Sequence, residues 1–294
     1  MLNSIGANAR ENAEDDYHEQ IQQLFIKLFL NDKLLENDYN LVTKLLGSSL
    51  PWHDECLLVT ALTLGLNRCF DEKKLLLLAN ISAGNNNQVW QRALVGLVLM
   101  LEKYDYRLYL YPKTAARIKT LSDQKEWKQS FELTVMQYLK SKDTEEVTRK
   151  IREDLLPEMM KYRSKFEDKL DLENILSASE DEDKNPDWQE VFKDSPGLYD
   201  KFEEFSLLQI EGADVFMSAF AMLKQFSFFN KISNWFLPFY KENRVLSEAL
   251  EGAKKSVDTQ LFRNGLERSH VLCNSDKYSF CLNIRHMPEV QKTW

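Results

Sequence analysis

Four soft metal ligands lie within 17 residues near the end of the chain: His270 and Cys273 as a His-x-x-Cys pair, then Cys281 and His286 as a Cys-x-x-x-x-His pair. Two thiolates and two imidazoles could close a tetrahedral shell around zinc. Both pairs have an order untypical of zinc modules, and only seven residues separate Cys273 from Cys281. The reading is of partly buried cysteines and surface histidines that do not converge, so no metal is expected. Asp181-x-Asp183-x-Asn185 opens like a calcium loop. Such a loop needs glycine at its sixth position and a bidentate glutamate at its twelfth. Here those positions are Pro186 and Phe192, which leaves a solvated acidic loop. Ser177 and Ser179 beside it are candidate phosphorylation sites.

His53 and Cys56 lie one helical turn apart, with Cys69 further on, and could pair a base with a thiol nucleophile. A reactive thiol needs an exposed electropositive setting, whereas Cys56 lies in an apolar helical run; a core thiol is the expectation. The chain carries no Gly-rich phosphate loop, no His-Glu-x-x-His and no Gly-x-Ser-x-Gly. No catalytic, cofactor-binding or metal residues are therefore assigned, and no cofactor is expected.

Aromatic side chains are the remaining chemistry. Phe216, Phe220, Phe226, Phe228, Phe229, Trp235, Phe236, Phe239 and Tyr240 fall within 25 residues. Helical spacing makes most of them core, and Phe216, Phe220, Trp235 and Phe236 are expected to be mostly buried. The alternative is an exposed groove for a partner helix or peptide, with Trp188, Phe228, Phe229, Trp235, Phe239 and Tyr240 as its anchors. Sugar stacking on Trp188 or Trp235 beside a carboxylate is a third, weaker reading.

The elements that must position these residues read as helices. Gly and Pro together number 16 of 294 residues, about half of average usage at roughly 12%. Such scarcity favours helices with short connections over turn-rich sheets. Tyr17 to Leu30 sets Ile21, Leu24, Phe25, Leu28 and Phe29 on one helical face. Asn37-Asp38 caps a short second helix. His53 to Phe70 is apolar almost all round, as in a helix held between neighbours. Asp71 caps the next helix, Gly84 to Asn87 turns, and Val89 to Tyr104 is again broadly apolar, with Ala93 and Gly96 permitting close approach. Asp105 starts a segment that Pro112 must interrupt. Further helices are expected near Gln124–Leu139, Thr144–Arg163, Leu198–Leu208, Ala213–Gln225, Asn230–Tyr240 and Arg244–Lys255. Three regions follow: a helical array over 1–167, an acidic linker or mobile loop over 168–186, and a second helical region over 187–294. Pro288 to Trp294 reads as a helix just beginning, as in a chain cut from something longer.

Two of these helices head a repeat. Val59 to Leu66 runs into Phe70-Asp71-Glu72-Lys73, and Ala93 to Met100 runs into Tyr104-Asp105-Tyr106-Arg107, with the aromatic-Asp pairs 34 residues apart. Self-similarity at that period marks stacked helical units. Over roughly residues 53–120 the pattern resembles HEAT-like repeats. The whole looks like the N-terminal part of large uncharacterised bacterial α-solenoid proteins in which tetratricopeptide repeats follow. That resemblance implies an all-α, right-handed α-α superhelix with a second helical region, and a scaffold role without catalytic residues.

Net charge is −8, which argues against nucleic acid as a generic partner. The first twenty residues lack an apolar leader segment, so a cytoplasmic location is expected. The charge-free runs Val215–Leu223 and Ile232–Tyr240 are nine residues long, short of the roughly 20 that span a bilayer. The expected function is a non-enzymatic scaffold binding another protein or peptide. The alternative is an α/α-type helical enzyme with an aromatic, carboxylate-lined cleft.

Overall fold

The computed structural model describes residues 2–48, 50–141, 149–150, 153, 207, 222–240, 242–251, 259–269 and 272–283, with side chains described for these except 2–15, 48, 222, 223, 250, 251 and 259–262. The described residues are helical and contain no strand, which is the expected all-α class. The chain divides into two compact units: Met1–Val135 with Lys231–Pro238, and Met136–Asn230 with Phe239–Trp294.

The first unit holds α1 (Leu2–Leu30), α2 (Glu36–Ser48), α3 (Trp52–Arg68), α4 (Glu72–Ile81), α5 (Asn87–Tyr104), α6 (Pro112–Ser122) and the start of α7 (Lys125–Ser141). On α1 the predicted face is the buried one, through Ile21, Phe25 and Leu28. α3 is buried at every residue from Asp54 to Leu62 because α1 and α5 both pack on it. α4 touches α2 and α6, and also α3 and α5. Asp71 caps α4: its carboxylate accepts the Lys74 N–H at 2.8 Å and the Leu34 N–H at 3.2 Å. The same cap thus starts one helix and ties down the connection between α1 and α2. Pro112 sits in the first turn of α6, where its missing N–H costs no hydrogen bond.

The expectation that the helices near 56–70 and 89–104 are buried, near-parallel neighbours holds. Cys56 Sγ donates to the Gln88 carbonyl, Arg92 Nη1 to Thr60 Oγ1 at 3.1 Å, Lys103 Nζ to Asn67 Oδ1 at 2.9 Å and Tyr104 Oη to the Leu66 carbonyl at 2.8 Å. Residue numbers rise together on both helices, so α3 and α5 run the same way. α1 and α3 do likewise, with Tyr17 bonded to Asp54 and Arg68 to the Phe29 carbonyl. Two glycines let these helices approach. A Cβ on Gly65 would lie 2.8 Å from the Leu28 carbonyl oxygen, and one on Gly96 would collide with the Thr63 hydroxyl.

In the second unit α8 (Arg244–Glu251) packs on α10 (Asn274–Asn283), and α9 (Thr259–Arg268) lies between them in sequence. The 3-10 turns Met222–Gln225 and Ser227–Asn230 precede them. Sequence reading anticipated neither α9 nor α10. It also expected a helix over Asn230–Tyr240; the chain instead makes a 3-10 turn at Ile232–Trp235 and leaves helical geometry through Pro238. Proline in the helix interior has no N–H to give and clashes with the preceding turn. The expectations for Thr144–Arg163, for the 168–186 segment with its Asp181, Asp183 and Asn185, and for Leu198–Leu208 lie wholly or mostly outside the described residues.

Candidate functional site

The connection between α5 and α6 carries the most exposed aromatic surface of the described residues. α5 ends at Tyr104, and Pro112 disfavours helical geometry at Tyr111. The chain between them tightens into a 3-10 turn, Asp105–Leu110. At three residues per turn, side chains three apart eclipse, so Tyr106 and Tyr109 stand on one side. They are 63% and 79% exposed, and Leu110 is 57% exposed.

Arg107 holds this turn to the body. Its Nε donates to Tyr106 Oη at 3.1 Å, and its guanidinium lies 5.4 Å from the ring of Tyr106, 5.7 Å from Tyr104 and 5.8 Å from Phe70. Phe70 in turn packs on Tyr104 at 5.1 Å and on Tyr111 at 4.8 Å. The Tyr106 hydroxyl raises the Arg107 pKa further above its ordinary value, so the guanidinium is a permanent cation. Burial pushes the Tyr104 hydroxyl up. From Lys103 to Lys119 the chain carries Lys103, Arg107, Lys113, Arg117 and Lys119 against Asp105 alone, within a protein of net charge −8.

A second cluster sits at the start of α3. Asp54 is buried and accepts from Tyr17 Oη at 2.7 Å, with His53 Nδ1 3.2 Å from its other oxygen. Burial raises the Glu55 carboxyl and pushes the Cys56 thiol up to about 11. Cys56 is therefore a protonated core thiol beside His53, as expected, and not a thiolate nucleophile. Arg92 Nη1 donates to Thr60 Oγ1 and to the Phe236 carbonyl, so it clasps the 231–238 segment onto α3 within the first unit. Asp54 and Glu55 occupy the first turn of α3, where a carboxylate complements the helix dipole. The arrangement is one of helix anchoring.

In the second unit the predicted aromatics surround Tyr278, which is fully buried. Phe228 lies 5.0 Å from its ring and Phe239 5.3 Å. Lys224 Nζ lies over Phe229 and bonds Asp276 Oδ1 and Ser275 Oγ. Of the six proposed partner anchors, Trp188 lies outside the described residues. Phe229 and Phe239 are buried, Phe228 and Tyr240 half-buried, and Trp235 is 44% exposed. Burial explains why Phe229 and Phe239 serve packing here: each ring is taken up by its neighbours. The expectation of a buried Trp235 does not hold, and Phe236 is half-buried; Phe216 and Phe220 lie outside the described residues.

For the zinc-like constellation, His270 and His286 lie outside the described residues. Cys273 is exposed and bonds Ser275 Oγ, while Cys281 is fully buried with its thiol pushed up to about 12 by burial. No group of metal-ligating side chains assembles among the described residues. No described helix is long and apolar enough to cross a membrane. Sequence reasoning missed the Tyr106–Tyr111 edge. Its signal was four aromatics in eight residues from Tyr104 to Tyr111, just before a proline.

Compared with protein-family models, curated proteins and solved structures, the chain matches none.

Proposed function

We propose that this chain is a non-enzymatic scaffold for protein partners, built from stacked HEAT-like helix pairs in a right-handed superhelix. One observation carries the reading. Nearly all the long-range side-chain bonds of the first unit join residues 32 to 46 positions apart, from Tyr17–Asp54 through Lys74–Leu28, Tyr104–Leu66 and Arg117–Asn80 to Trp127–Ser82. A spacing near one repeat length, renewed along the chain, is what nearest-neighbour stacking of helix pairs produces. The order of helix contacts supports it: α1 on α3 on α5, and α2 on α4 on α6.

The connections between paired helices then line one edge, and the exposed Tyr106, Tyr109 and Leu110 make that edge the partner surface. Tyrosine supplies large contact area at low entropic cost. The test is a comparison of proteins captured from the native host by the full chain and by Tyr106→Ala/Tyr109→Ala/Leu110→Ala, with Leu133→Ala/Leu139→Ala as a control elsewhere. A defined set lost only with the first variant is expected. Identical sets from all three would contradict this surface.

A further inference from the structure

Resting on the scaffold reading, we propose that the Arg107 edge holds an acidic peptide segment of its partner. In this arrangement one carboxylate sits on the guanidinium and an adjoining apolar side chain lies against Tyr109 and Leu110. Arg107 spends Nε on Tyr106 Oη, and no acceptor among the described residues meets its two terminal amino groups. Those groups form the edge of the guanidinium that takes a carboxylate through two parallel hydrogen bonds. Three rings already fix its plane, so little freedom is lost when a ligand arrives.

Local charge agrees. The exposed Lys103 and Lys113 flank the turn in an otherwise acidic protein, which steers an anionic segment here and away from most of the remaining surface. The exposed Tyr109 ring and Leu110 then give the segment an apolar footing beside its acid.

The same cation and tyrosines suit a single-stranded nucleic acid less well. Base stacking needs free ring faces. Phe70 is buried between Tyr104 and Tyr111, and Arg107 lies over Tyr104 and Tyr106, which leaves Tyr109 as the open platform. Binding to a phosphate chain also draws on many neutralised charges, against a net charge of −8 here.

The experiment pans displayed random peptides on the full-length chain and measures synthetic copies of the winners by fluorescence polarisation. Arg107→Gln, Arg107→Lys and Tyr109→Ala are measured alongside, with melting curves to show that each variant folds. The expected winners pair Asp or Glu with an apolar neighbour. They should lose roughly tenfold or more in affinity on Arg107→Gln or on Glu→Gln in the peptide, and Arg107→Lys should restore only part, since lysine lacks the fork. Winners without acidic residues that still need Tyr109 would overturn the acidic partner and leave the scaffold reading standing. No winners, or winners indifferent to all three variants, would remove this edge from both readings. Arg107-dependent binding of mixed-sequence single-stranded RNA, tighter than any peptide, would overturn the peptide in favour of nucleic acid.

Discussion

Between α3 and α5 most of the enclosed side chains are aliphatic: Leu57, Leu58, Leu62, Leu94 and Leu97 are all fully or almost fully buried, with Thr60, bonded to Arg92, among them. Around α10 the enclosed set is aromatic and polar: Tyr278 and Ser279 are fully buried, Asp276 and Lys277 nearly so. The two regions solve the burial problem differently. Leucine needs only non-directional contact, so a helix apolar on every side can take neighbours on every side. A buried acid or amine must bring its partner with it. Asp276 does so through Lys224, and Lys277 lays its ammonium 5.6 Å from the Phe239 ring. The first kind of core can be stacked again and again; the second is specific to its place.

Substitutions separate the two. Tyr278→Ala should cost ~4 kcal/mol and Leu62→Ala ~3 kcal/mol in urea denaturation, through lost transfer energy and the cavity left behind. A loss under ~1 kcal/mol for Tyr278→Ala would show that the aromatic set around α10 is no core. Next in size, Gly65→Ala should cost ~2 kcal/mol, because its new methyl meets the fixed Leu28 and Phe29 carbonyls as well as the Lys74 ammonium that is bonded to the Leu28 carbonyl. A neutral Gly65→Ala would mean that α1 and α3 are not in close contact.

The first kind of core was legible in the sequence and the second was not. All-round apolarity announced α3 and α5, the Ile21–Phe25–Leu28 face announced α1, and Asp71 announced the start of α4. α10 reads Asn-Ser-Asp-Lys-Tyr-Ser-Phe-Cys-Leu-Asn, with no continuous apolar stripe, so its burial depends on partners that periodicity cannot reveal. Over Asn230–Tyr240 the aromatics kept a helix-like spacing while Pro238 forbade the helix. The Tyr106–Tyr111 edge escaped for a related reason. Asp105 looked like a helix start, whereas the 3-10 turn that displays Tyr106 and Tyr109 comes from the Pro112 stop.

The smallest expected effect is in the thiols, one in each region. Cys56 is raised from 9.0 to about 11 and Cys281 from 9.0 to about 12, both by burial. The folded chain therefore keeps protons that the unfolded chain releases. Stability present below pH 9.0 is lost as pH rises through about 11 for Cys56 and about 12 for Cys281. Cys56→Ala should flatten the first part of that alkaline decline in denaturation measured across pH. At neutral pH the exposed Cys273 should be alkylated well before either buried thiol, as followed by mass spectrometry.

The parallel register of α3 and α5 is the claim on which the proposed stacked array rests, and a cross-link reads it directly. A Cβ built on Gly96 stands 3.3 Å from the Thr63 Cβ, close to the span a disulfide bridges. In a chain with Cys273 replaced by serine, Thr63→Cys/Gly96→Cys should oxidise under native conditions to an intramolecular disulfide, identified by peptide mapping. Thr63→Cys/Leu101→Cys should not. Failure of the first pair to link in the folded protein, or equal linking by the second, would contradict the register and with it the array.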